Sequence, residues 1–182
     1  MTQIRHSVFE TNSSSSHSIS IRKIDDITTP EEIKEEFKWR LGKDGVLMIW
    51  GHHLEFDRSP FEPLTSFYDK IRFAIASYNY DPDKIENIKD IMFKHIPGLK
   101  DIQFDTRWEY DDKDNEIKAP DYGYIDHQSM GVLQGFLATH NVSLEDFLLN
   151  KKYVVFIDGD EYYIKEKMFE AGLMRKEDFE EI

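Results

Sequence analysis

The sequence predicts an α+β domain, and three observations carry that expectation. Segments with the strand period of two and segments with the helix period of 3.6 are interspersed along the chain. They follow no regular strand–helix–strand repeat, and an Asp158-Gly159 turn signal sits between two apolar runs as in a hairpin. Hydrophobic residues make up 40% of the 182 and aromatics 14%, too apolar for a disordered chain although 32% are charged. A single domain over residues 1–182 is expected, with antiparallel hairpins packed against several short amphipathic helices.

The elements follow in chain order. Ile4 and Val8, then Ile19 and Ile21, flank the polar run Thr11 to Ser16 and read as two short strands joined by a Ser-rich loop. Thr29-Pro30-Glu31-Glu32 places a capping hydroxyl, a proline at the first helical position and a Glu three residues after the cap. That pattern predicts a helix from Pro30 to about Leu41. Val46 to Trp50 reads as a buried strand after Gly42 and Gly45. Leu64, Phe67, Tyr68, Ile71, Ile75 and Tyr78 recur at helical spacing, and Asp81-Pro82 restarts the chain as a second capped helix, the two forming a helical hairpin.

Ile102, Phe104, Thr106, Trp108 and Tyr110 alternate with Gln103, Asp105, Arg107 and Glu109. This predicts one strand with the first set buried and the second wet, followed by a turn at Asp112 to Asn115. Gly131 to His140 suggests a short helix, and Ser143 with Asp146 three residues on caps another. Tyr153 to Ile157, Asp158-Gly159, then Glu161 to Ile164 predict a hairpin, and the stretch from Lys165 an acidic helix.

Composition narrows the functional classes. Without cysteine there is neither a disulfide framework nor a thiolate-ligated zinc site. The N-terminus has no apolar core of signal-peptide length and the longest apolar runs are of strand length, so a cytoplasmic protein is expected. The net charge of -13 repels nucleic acid and anionic membranes and favours a basic partner; solubility alone also accounts for such a charge.

Glycine-rich phosphate loops and serine-nucleophile motifs are absent, and Ser13 to Ser16 beside His17 reads as a loop rather than a catalytic pair. If His52 to Asp57 continued the preceding strand, His53, Glu55 and Asp57 would share one face. With His17, Asp126 and His127 they form a candidate set of metal ligands for a metal-dependent enzyme. The alternative for the same residues is a solvated edge strand or loop.

Charge clustering is the stronger signal. Residues 105 to 126 hold eight acids against Arg107, Lys113 and Lys118, and residues 158 to 182 hold nine acids against four bases. Tyrosines interleave with them, and tyrosine is a favoured interface anchor. Asp111, Asp112, Asp114, Glu116, Asp158, Asp160 and Glu161 are the expected partner-binding residues, with no catalytic residue and no cofactor.

The stretch Ile4-Arg5-His6-Ser7-Val8-Phe9-Glu10-Thr11-Asn12-Ser13-Ser14-Ser15-Ser16-His17-Ser18 resembles the opening of small proteins carried by phages and other mobile elements of Gram-positive bacteria. Tyr124-Ile125-Asp126-His127-Gln128-Ser129 is similar to that group as well. With its size and acidity, the chain resembles anti-CRISPR proteins, inhibitors of Cas9 in particular. The resemblance implies an acidic decoy for a basic guide- or DNA-binding surface. The expected partner is thus a basic nucleic-acid-binding protein such as guide-loaded Cas9, with neither membrane nor direct nucleic-acid binding.

Overall fold

A computed structural model of the chain describes residues 16–56, 62–111, 113–126, 129–158 and 164–179. Its centre is the apolar run predicted from the sequence. Strand β9 (Tyr153–Asp158) is buried from Tyr153 to Ile157 on both faces. β1 (Ser16–Ile21) pairs along one edge, with Ser16 opposite Asp158 and Ile21 opposite Tyr153. β4 (Glu62–Leu64) pairs antiparallel along the other. Both edges are therefore taken, and residues 159–163 of the hairpin expected at Asp158-Gly159 lie outside the described residues. Ile164 begins helix α6 (Ile164–Glu170) instead of ending a strand.

Helix α1 (Pro30–Phe37) starts as its sequence predicts. Thr29 Oγ1 accepts from the Glu32 amide at 3.2 Å, while Glu32 Oε2 accepts from the Thr29 amide at 2.8 Å. It ends at Phe37, short of the expected Leu41, and residues 38–40 form a turn. The expected helical pair is present as α2 (Phe67–Ser77) and α3 (Pro82–His95), capped by Ser66 and Asp81, although Leu64, read with the first helix, lies in β4. α4 (Val132–His140) and α5 (Leu144–Leu149) follow, the latter capped by Ser143.

α2 contacts α1, α3, α4 and α5, and its buried residues lie all round its axis, as befits a central helix. One of them is Lys70, which is fully buried. Its Nζ donates to the Phe147 and Asn150 carbonyls at 3.0 and 2.9 Å. Those carbonyls belong to the C-terminal end of α5, where the helix leaves acceptors unsatisfied and a cation is favourable. Burial nevertheless pulls the ammonium pKa down to about 7, against the opposing pull of Glu36 and Asp146.

The remaining strands pair in twos, and two of the pairs are parallel. β2 (Val46–Ile49) runs alongside β5 (Asp101–Phe104), and β3 (Glu55–Phe56) alongside β8 (Tyr124–Ile125). Gly123, at φ 64°, lies so close to the Leu54 carbonyl that a Cβ could not fit there. β6 (Thr106–Tyr110) and β7 (Glu116–Pro120) form an antiparallel hairpin. The architecture is α+β as predicted, although most of its antiparallel pairing joins segments distant in sequence. A 3₁₀ turn at Lys176–Asp178 returns the C-terminal segment to β1, where the Lys23 amide donates to the Asp178 carbonyl at 2.7 Å.

Candidate functional site

The strand expected over residues 102 to 110 is broken at Asp105, and the break builds the candidate site. Up to Phe104 the chain pairs with β2; from Thr106 it pairs with β7. The Asp105 amide donates to the Ile49 carbonyl at 2.9 Å, and its carbonyl accepts from the Asp121 amide at 2.7 Å. The residue thus serves both partners. Beyond it the face carrying Ile102 and Phe104 turns away from the core. Trp108 is 66% exposed and Tyr110 69% exposed, whereas Arg107 and Glu109 are half-buried. This corrects the expectation that Trp108 and Tyr110 face inward.

The resulting β6–β7 ribbon is acidic and aromatic at once. Asp105, Glu109, Asp111, Asp114, Glu116 and Asp121 stand on or beside it, against Arg107, Lys113 and Lys118. Two of the three bases are engaged. Arg107 Nε donates to Glu109 Oε1 at 2.7 Å, and the Lys118 ammonium lies 5.2 Å from the centre of the Trp108 ring. Ile117, 42% exposed, adds apolar surface.

At the tip the expected turn is present and Asp111 folds it. Its Oδ1 accepts from the Lys113 and Asn115 amides at 2.8 and 2.9 Å, and its Oδ2 from Asn115 Nδ2 at 3.0 Å. The Asn115 side chain, then the Asn115 and Lys113 amides, hold this carboxyl below its usual range. Asp114 takes the left-handed conformation at φ 59°, which short polar side chains tolerate. Because Asp111 is committed to the turn, Asp114 and Glu116 present the exposed charge, Glu116 also accepting from the Tyr110 hydroxyl at 3.1 Å. Of the other expected contact residues, Asp158 ends β9 in a separate sheet, and Asp112, Asp160 and Glu161 lie outside the described residues.

The candidate metal ligands divide differently. Residues Gly51–His53 form a 3₁₀ turn, so no strand continues from β2 to put His53, Glu55 and Asp57 on one face. His53 is exposed in a surface pocket with Trp39 and Trp50. His17 and Asp126, by contrast, are buried in one corner through Ser129. The His17 amide donates to Ser129 Oγ at 2.9 Å, and the Ser129 amide donates to the Asp126 carbonyl at 2.8 Å. Asp57 and His127 lie outside the described residues. Among the described residues, no three His, Asp or Glu side chains are grouped so that they could hold a metal ion.

The chain matches no protein family, no curated protein and no solved structure. No helix among the described residues is long and apolar enough to cross a membrane.

Proposed function

We propose that this chain is an acidic inhibitor that docks through its β6–β7 ribbon onto a basic nucleic-acid-handling protein. The observation that carries this reading is the outward pair Trp108 and Tyr110, flanked by the exposed carboxylates of Asp114 and Glu116. Large aromatic side chains gain from burial and rarely stand exposed beside one another without a partner. Tryptophan and tyrosine are the residue types that anchor interfaces, and surrounding carboxylates steer a basic surface towards them. A ribbon that carries little of the core can lay such a surface into a groove built for a nucleic-acid backbone. The similarity of the N-terminal stretch to mobile-element proteins makes a guide-loaded Cas9 the specific partner to try first.

The test is capture of guide-loaded and guide-free Cas9 by the purified chain at low and high salt, with DNA cleavage as the readout. Capture that weakens with salt and suppresses cleavage is the expected result. Salt-indifferent capture, or capture without loss of cleavage, overturns the decoy mechanism; failure to capture either form removes Cas9 as the partner.

A metal-dependent enzyme is the second reading; the buried corner that joins His17 and Asp126 through Ser129 would supply two of its ligands, and no third stands with them among the described residues. It requires metal bound at near-stoichiometric amounts in the purified chain and a melting temperature that falls in chelator. An absence of both would dispose of it.

A further inference from the structure

Against its net charge of -13, the molecule carries a pocket that brings two arginines and a histidine together. It has a volume of about 370 Å³ and lies between the turn after α1, strand β2, the 3₁₀ turn at residues 51–53, and α2. Arg40, His53 and Arg72 supply the polar lining, Met48 part of the apolar lining, and no carboxylate lines it among the described residues. The aromatic lining is Trp39, 86% exposed, Trp50, 47% exposed, and Tyr68. Two of the three tryptophans therefore open onto one basic pocket.

The cations are held in place before any ligand arrives. Arg72 Nε donates to the His53 carbonyl at 2.6 Å, and Arg72 Nη1 pairs with Asp69 at 3.4 Å. Arg40 Nη1 donates to the Glu36 carbonyl at 2.5 Å, and its guanidinium stacks 4.4 Å from the centre of the Tyr68 ring. Asp69 thus offsets part of the Arg72 charge through Oδ1 while its Oδ2 accepts from the Ser66 hydroxyl, and Glu36 Oε1 accepts from the Tyr68 amide. Burial, and after it the charges of His52, Arg72 and Arg40, hold the His53 imidazole below its usual range.

We infer that this pocket binds a nucleotide, with the nucleobase stacked on the exposed indoles and the phosphate against Arg40 and Arg72. Three features select that chemistry. An anion suits the two guanidinium forks, which match phosphate geometry. A flat aromatic group suits the indole of Trp39, 86% exposed with the Lys38 ammonium 5.5 Å from its ring centre, as in sites that stack bases. The volume lies at the small end for ligand sites, so it fits one nucleotide and no more. The overall negative charge penalises each further phosphate, so a free mononucleotide or a lone nucleotide end is favoured over a long strand. This site is independent of the β6–β7 ribbon.

Titration of the full chain with AMP, followed by calorimetry and tryptophan fluorescence, tests the inference. AMP is expected to bind and quench fluorescence, while adenosine and inorganic phosphate alone bind at least about ten-fold more weakly. Trp39→Ala removes a side chain with few protein contacts, so it should weaken AMP about ten-fold while leaving the melting temperature unchanged. Arg40→Gln should abolish the advantage of AMP over adenosine. No saturable heat or quenching at millimolar AMP overturns the site, as does binding that Trp39→Ala leaves intact. A ten-nucleotide single strand binding more tightly than AMP would contradict the size assignment and mark the pocket as part of a strand-binding surface.

Discussion

Strands β9 and β6 each carry two aromatic residues, and these meet opposite fates. Tyr153 to Ile157 of β9 are buried, whereas β6 exposes Trp108 and Tyr110. The difference lies in their neighbours. β9 is flanked by β1 and β4, while β6 has β7 alone and a break at Asp105 that swings it off β2. Aromatic content therefore does not decide burial; occupancy of a strand's edges and faces does. An aromatic strand left with one partner is available for a second molecule.

Mutations that separate core from ribbon sharpen the contrast. Phe156→Ala in β9 is expected to cost about 3–5 kcal/mol in denaturant unfolding, because it empties a fully buried site. Trp108→Ala is expected to cost about 1 kcal/mol or less in the same assay, losing chiefly its contact with Lys118. Comparable losses at the two positions would break the distinction.

Lys70 gives the core a second signature. Its folded pKa of about 7 lies below the unfolded lysine value of about 10.4, so between those values the unfolded chain binds more protons. Stability should therefore rise with pH from about 7 towards 10, by up to about 1.4 kcal/mol per unit. Above about 10 the buried Tyr68 and Tyr78, whose pKa values are raised chiefly by burial, oppose the trend. Unfolding curves across that range should lose the rise in Lys70→Met. A flat profile in the unaltered chain would show that the ammonium is not desolvated.

Two smaller effects complete the series. Thr29→Ala removes the α1 cap and should cost about 1 kcal/mol. At the ribbon tip, the depressed carboxyl of Asp111 favours the turn at neutral pH, and this contribution fades as pH falls through its folded value, below the unfolded value of about 3.9. Amide exchange at Lys113 and Asn115 should rise there before the core opens.

Much of the fold was legible because its signals are local. Thr29, Asp81 and Ser143 cap helices by chemistry within four residues of each cap. The Asp111–Asn115 turn is equally local. Non-local partner choice was not legible. Nothing in the alternation from Ile102 to Tyr110 says that the strand changes partners at Asp105, so the period was visible and the buried face was not. The same limit hid β9's two partners, β1 and β4. At the candidate site the acids were visible as a cluster. The role of Asp111 in the turn and the exposure of Trp108 depend on geometry that spacing does not carry.

The most direct measurement is Asp114→Asn, which keeps a side chain that tolerates the left-handed conformation, combined with Glu116→Lys, read for unfolding free energy and for capture of guide-loaded Cas9 at low salt. The account predicts stability unchanged within about 0.5 kcal/mol and affinity reduced about ten-fold or more. Unaltered capture by a stably folded variant would contradict it and move the docking surface away from the ribbon.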